Sequence, residues 1–423
     1  MNDAQLRQLI REKVQQALTE GAPPPATGAG RGIFQDMNEA VEAAAAAQRR
    51  YLREPLETRR NIVAAIRGGI RPLVPEMSQR AVAESGMGRV DHRILKNNLV
   101  LEKTPGVEDL QCAAWSGDHG LSLVELSPFG VIGAITPVTN PTETILNNCI
   151  GMPAAGNAVA FSPHPTAVKT SIWLVEKLNE VIIQAAGIAN LVVTMDRADM
   201  AAVAAMMKHP KINLLVATGG PEIVKTVLSS GKKAIGAGAG NPPVIVDETA
   251  DIIKAAQAIV AGSSFDNNLP CIAEKEVFVC EQVADYLLFC MQKHQALQIK
   301  DGNDIEKIRQ TVMLDHQTIN KKFVGKNASY ILDQAGIPYE GDPVLIFMEV
   351  PNSHPFVQTE LMMPILGVVR CVNFGEALER AILAEGGCRH TAQMHSKNVD
   401  RLTEAARLLQ TTIFVKNGPS YNG

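Results

Sequence analysis

The chain has 423 residues, enough for two or three domains. It is 46% hydrophobic, 20% charged and 4% aromatic, the balance of a globular protein with a large buried core. A net charge of −4 excludes a strongly basic nucleic-acid binder, and no run approaches the ~18 apolar residues of a membrane span.

The first residues, MNDAQLRQLIREKVQQAL, carry charges where a signal peptide needs an apolar stretch, which places the chain in the cytosol. Residues 5–19 read as a short amphipathic helix, with Leu6, Ile10, Val14 and Leu18 on one face. The Gly/Pro/Ala segment at 21–32 reads as a linker. A helix tethered in this way has no core of its own, so it docks either on its own domain or on another protein.

From 37 to about 101 the pattern is mostly helical, and 118–130 reads as an extended excursion. Short β-rich runs follow at 131–135, 158–162, 191–194, 214–217 and 233–236. Helical stretches at 166–186, 200–208 and 221–230 separate them, which predicts a parallel sheet of Rossmann type. A second α/β unit is expected from Pro243, with a helix at 250–261 and strands at 276–279, 345–349, 365–372 and 412–415. There is no internal repeat.

The seven cysteines form no C-x-x-C pair, so neither a zinc site nor a redox dithiol is indicated. Buried apolar positions are the default expectation for each of them. Cys271 departs from that default because it follows Pro270 in the polar, turn-rich stretch SSFDNNLPC. A cysteine on such a loop, beside backbone donors, is a candidate nucleophile. Asn140 lies where the strand VIGAIT runs out into PVTNP. Its amide either caps or turns the chain, or donates to a substrate oxygen. No G-x-G-x-x-G follows any strand. The run Thr218-Gly219-Gly220 before Pro221 is either a tight turn or a helix start that holds a phosphate. His390 and His395 flank another strand, and satisfied polar residues or a base for a thiol are both open readings.

These segments also occur in a recognisable order: PFGVIGAITPVTNP, AAGNAVAFSP, VATGG, GAGAGNPPVIVD, FDNNLPCIAEK, TELMMPIL and TTIFVKNGPSY. Their order resembles the aldehyde dehydrogenase superfamily from about Gly32 to the chain end, and the details resemble its CoA-acylating branch in bacterial microcompartments. The resemblance implies an α/β fold with a Rossmann-type cofactor domain at 33–242 and a second α/β catalytic domain at 243–423. It assigns 1–20 as a targeting helix that binds a microcompartment shell protein, and about 112–128 to contacts in a homo-oligomer. It implies a short-chain aldehyde substrate, propionaldehyde first and acetaldehyde next, with NAD as cofactor and coenzyme A as co-substrate, in the microcompartment lumen within the cytoplasm. No metal, membrane or nucleic-acid partner is implied. It further implies a glycine-rich segment and terminal strands after NGPSYNG, so the catalytic domain is expected to lack its C-terminal part.

Residue by residue, Cys271 matches the nucleophile and Asn140 the oxyanion donor. Thr218, Gly219 and Gly220 match the turn beside the pyrophosphate, and Glu360 a glutamate that bonds the nicotinamide ribose. Thr136 and Pro137, with Ser162, Pro163 and His164, fall at the expected cofactor positions. Two departures matter. Ala237 stands where hydrolytic relatives carry the glutamate that activates water, and alanine takes no proton. Ser162 and Pro165 replace the Lys and Glu that hold the adenosine ribose in those relatives. Losing the base disfavours hydrolysis and suits transfer to a thiol, which is already partly ionised near neutral pH.

Overall fold

The computed structural model describes residues 30–423. The helix expected at 5–19, and the linker up to 29, lie outside the described residues. Strand β1 (Ile33–Phe34) leads into four helices, Met37–Tyr51, Leu56–Ile70, Val74–Ser85 and Val90–Lys103, which resolve the long helical pattern. The first is capped by Asp36, whose carboxylate accepts from the Asn38 and Glu39 amides. Strands β2 (Ala113–Gly117) and β3 (Gly120–Val124) form an antiparallel hairpin that accounts for the extended excursion.

The first sheet adds β4 (Val131–Thr136), β5 (Ala158–Pro163), β6 (Val192–Met195), β7 (Ile212–Thr218) and β8 (Lys233–Ala237). It has six strands in the order β1-β6-β5-β4-β7-β8, all parallel. Every residue of β4 and β5 is buried, because helices cover both faces of the sheet. That is why these strands read as continuous apolar runs rather than alternating ones. Successive strands step one way from β4 to β6, and the chain then returns to lay β7 on the other side of β4. The order therefore reverses between β4 and β7, and the crevice of such a sheet opens at their carboxyl ends, beside Thr136 and Thr218.

The second sheet comprises β9 (Pro243–Val246), β10 (Glu276–Cys280), β11 (Ala296–Gln298), β12 (Leu345–Glu349), β13 (Ile365–Cys371), β14 (Thr391–His395) and β15 (Ile413–Lys416). These run parallel in the order β11-β12-β13-β10-β9-β14-β15. Strands β1 and β11 have two and three residues and escape a pattern search, since neither is long enough to show a period. The helix between β9 and β10 is Ile252–Ser264, three residues longer at its carboxyl end than the pattern predicts. The chain then turns abruptly toward Cys271.

Candidate active site

Cys271 sits on the segment that precedes β10, so it approaches the site from the amino end of a strand. The three residues Asp266, Asn267 and Asn268 before it adopt the left-handed region, with φ of 48°, 55° and 63°. Asn and Asp tolerate this conformation best among residues with a Cβ, yet each still costs on the order of 1 kcal/mol. Side chains hold the segment in place. Asn267 Nδ2 donates to Gly325 O and Asn327 Oδ1, both at 2.8 Å. Asn268 Nδ2 donates to Ser263 O at 2.8 Å and Glu274 O at 2.9 Å. The buried Lys275 ammonium donates to Asn268 O, Asn268 Oδ1 and Pro270 O at 2.8, 2.7 and 3.3 Å. Asp266 faces the other way, toward the helix Val90–Lys103. Its Oδ1 accepts from the Arg89 amide at 2.7 Å, and its own amide donates to His92 Nδ1 at 2.8 Å. Gly88, with φ of +78°, permits this approach, since a Cβ there would overlap the Asp266 carboxylate.

A cleft of about 230 Å³ brings Cys271 and Asn140 together. Leu99, Val100, Phe265 and Ile272 give it apolar walls. Asn140 occupies the N-cap position of the helix Pro141–Ala154, but its side chain makes no capping bond. The amide instead accepts from Lys96 Nζ through Oδ1 at 2.8 Å, and Nδ2 has only a 3.5 Å contact to Thr139 Oγ1. Of the two readings open in the sequence, the cap is therefore excluded.

Lys96 belongs to a buried group of four charges that the sequence did not disclose. Its ammonium lies 2.6 Å from Asp266 Oδ2 and 3.1 Å from Glu143 Oε1. The fully buried Arg93 stands 3.8 Å from Asp266 and 3.9 Å from Glu143. Two cations face two carboxylates, so the group is neutral overall. Burial alone would raise the Glu143 carboxyl, but Lys96 and Arg93 outweigh it and hold the group below its ordinary value.

The Cys271 thiol is pushed up, chiefly by burial and next by the Glu360 carboxylate, while Lys275 and Lys96 pull it down. Glu360 itself is raised by burial, against the pull of Lys275, whose Nζ is 4.0 Å away. Glu274 is wholly buried and pushed up to about 7, although Ser420 donates to it through both its amide and its hydroxyl. His390 lies against this centre: a Cβ on Gly240 would meet its ring at 2.9 Å and the Cys271 carbonyl at 3.2 Å. Its Nδ1 pairs with Thr391 Oγ1 at 2.8 Å, and burial lowers its basicity. His395 does not meet the expectation of a satisfied polar residue. It is 2% exposed, its Nε2 has no partner, and burial drives it down to about 4. Cys149, Cys280, Cys290 and Cys371 are buried as expected, whereas Cys112 and Cys388 are exposed.

The expected cofactor residues gather at the carboxyl ends of the first sheet. Thr136 ends β4, buried, with its hydroxyl unpaired. Pro137 follows it, also buried. Ser162 and Pro163 end β5 beside it, and His164 is exposed. Thr218 ends β7, and Gly220 begins the helix Pro221–Leu228 with no side-chain cap. The Gly219 amide is taken by Ala237 O at 3.1 Å. Ala237 ends β8, in register with Thr218. An unpaired hydroxyl on one side of the crevice and an uncapped helix start with open space at Gly220 on the other fit a dinucleotide. Glu360 lies next to Lys275 and Cys271.

Two parallel sheets that set a cysteine thiol against a dinucleotide-type crevice describe an α/β protein built for thiol chemistry beside a nucleotide cofactor. Residues 29–422 match the aldehyde dehydrogenase family, and the chain belongs to it. The CoA-propanoylating propanal dehydrogenase of Salmonella typhimurium is 49% identical over 424 residues, covering 100% of this chain and 91% of that protein. The Rhodopseudomonas palustris propionaldehyde dehydrogenase, solved with bound CoA and an acylated cysteine, superposes with a TM-score of 0.91 at 54% identity. The match covers 92% of this chain and 90% of that one. A propionaldehyde dehydrogenase from the Clostridium phytofermentans fucose utilisation bacterial microcompartment gives a TM-score of 0.90 at 49% identity, over 92% and 89% of the two chains. The family and the α/β fold expected from the motif order are borne out.

Proposed function

We propose that this chain is a CoA-acylating aldehyde dehydrogenase that converts a short aldehyde, propionaldehyde first and acetaldehyde next, into its acyl-CoA. The observation that carries the reading is the cleft that joins Cys271 to the uncapped Asn140 amide, with an alanine where hydrolytic relatives place a base. The apolar walls and small volume suit a short alkyl chain.

The Cys271 thiolate adds to the aldehyde carbonyl carbon. Asn140 Nδ2 and the Cys271 amide donate to the oxyanion that forms. Collapse of this thiohemiacetal oxyanion expels a hydride and leaves a Cys271 thioester. NAD, when bound in the crevice at Thr136 and Thr218, supplies the hydride acceptor. The CoA thiolate then adds to the thioester, the same two donors hold the second oxyanion, and Cys271 leaves as thiolate. One thioester is exchanged for another, so no water is consumed. The raised thiol of Cys271 means that a proton must leave before attack, and Lys275 and Lys96 favour the charged sulfur that results. We assign His390 to the CoA proton: burial keeps its ring neutral near pH 7, and it lies beside the Cys271 carbonyl.

Residues 33–242 serve as the cofactor domain and 243–423 as the catalytic domain. The exposed hairpin is the contact of a homo-oligomer, and residues 1–20 dock on a shell protein, which would place the enzyme in a microcompartment lumen. None of the described helices is long and apolar enough to cross a membrane. Fusing residues 1–20 to a fluorescent protein tests the docking, since the fusion should co-purify with assembled shells.

The decisive experiment omits CoA. Propionaldehyde and NAD alone should give a burst of about one NADH per active site and then nearly stop, and CoA should restore turnover. Cys271→Ala should fold and give neither phase. Steady NADH production without CoA would favour hydrolysis and overturn the proposal.

A further inference from the structure

We infer that Lys96 is a positioning residue for the oxyanion donor, fixing which way the Asn140 amide faces and tying it to the nucleophile's loop. This rests on the reading of Asn140 given above and adds the group that acts through it. An amide presents oxygen on one side and nitrogen on the other, and both orientations fit the same shape. An ammonium has three donors and no acceptor, so the amide atom 2.8 Å from Lys96 Nζ must be the oxygen. Nδ2 is then left as the donor, held by nothing stronger than the 3.5 Å contact to Thr139 Oγ1. The bond also polarises the amide, since a charged donor on the oxygen makes the N–H groups better donors.

The remaining contacts of Lys96 explain why it sits there. Its ammonium is held by Glu143, on the helix that Asn140 begins, and by Asp266, on the loop that leads to Cys271. One cation therefore spans the two chain segments whose separation sets the distance between nucleophile and donor. Lys96 is 8% exposed and lines the cleft itself, with two carboxylates to neutralise it, so its charge is buried for a purpose that packing alone does not require.

The test is a double-mutant cycle with Asn140→Ala. Lys96→Met should lower kcat by about 10- to 100-fold, while KM for propionaldehyde changes by less than about threefold. In the Asn140→Ala background the same substitution should lower kcat by less than about threefold, because the amide it orients is gone and only its pull on the Cys271 sulfur, weaker than that of Lys275, remains. Removing one buried cation can unfold the protein, so Lys96→Met/Glu143→Gln, which keeps the group neutral, is carried through the same cycle. An equal loss with and without Asn140, or no loss in either variant, overturns the inference. If Asn140→Ala itself leaves kcat unchanged, the reading of Asn140 fails first, and the role of Lys96 falls with it.

Discussion

Asn140 shows how a single side chain changes meaning between sequence and structure. At the start of a helix an asparagine reads as a cap, but the bond to Lys96 takes its oxygen away from the backbone. Asn140→Ala should therefore leave the thermal midpoint nearly unchanged and lower kcat by about 10²–10³, the usual loss for one oxyanion donor. Steady-state kinetics beside a melting curve separates this from a structural role. His395 gives a prediction in stability. In the folded chain it titrates at about 4 rather than its ordinary 6.5, so between those values the unfolded chain binds the extra proton. The stability that a neutral His395 contributes is present above pH 6.5 and is lost as pH falls toward 4, about 3 kcal/mol in full. Glu274 works in the opposite sense. Its folded value of about 7 lies above 4.5, so its protonated form stabilises at low pH and that contribution is lost as pH rises toward 7. The two slopes oppose each other in the wild type. His395→Met should tilt the profile downward with rising pH relative to the wild type between pH 4 and 6.5, read from the difference in thermal midpoints across that range.

The helix Val90–Lys103 shows why the site was only partly legible. Its buried face carries Arg93, Lys96 and Asn97, while Leu95 and Leu99 are 59% and 46% exposed. Periodicity assigns apolar residues to the inside, so a helix that turns its charges inward defeats the rule. The signal would have been a mismatch between two buried cations here and two buried carboxylates 47 and 170 residues beyond Lys96, which one sequence does not connect. Cys271, Asn140 and the glycine turn were legible because each sits at an element's end, where turn chemistry is local. The Asp-Asn-Asn run was visible as polar, but not as three consecutive left-handed residues. Its strain makes a prediction. Asn267→Ala should lower stability by about 2–3 kcal/mol, by losing two hydrogen bonds and a residue that tolerates the conformation. Asn267→Gly should cost less, because glycine accepts the same φ without a Cβ. Equal losses in the two variants, measured by thermal unfolding, would show that strain plays no part.

Over the whole molecule, most strands of both sheets were legible as short β-rich runs, including the exposed β8, whereas β9, buried throughout, was not named as a strand. The hairpin β2–β3 stands outside that pattern. Trp115, Leu121 and Leu123 are 60%, 72% and 59% exposed on it, more apolar surface than a free-standing ribbon carries in water. If the hairpin is an oligomer contact, as proposed, Leu121→Asp with Leu123→Asp should shift the enzyme to a smaller species in sedimentation, with the active-site thiol still open to alkylation. The bond between Asp266 and the Arg89 amide has a different consequence. It joins residues 177 apart, and the contacts of Asn267 with Gly325 and Asn327 reach a further 58 and 60 residues along the chain. The loop that presents the thiol is thus held from the start of the helix Val90–Lys103 and from the turn at 325–327, and neither segment can impose its conformation alone. During folding such long-range closures come late, after the local helices and strands have formed. The geometry around Cys271 is therefore complete only once Arg89, Asn267, Gly325 and Asn327 have come together, so a nascent chain holds no organised thiol site before residue 327 is made.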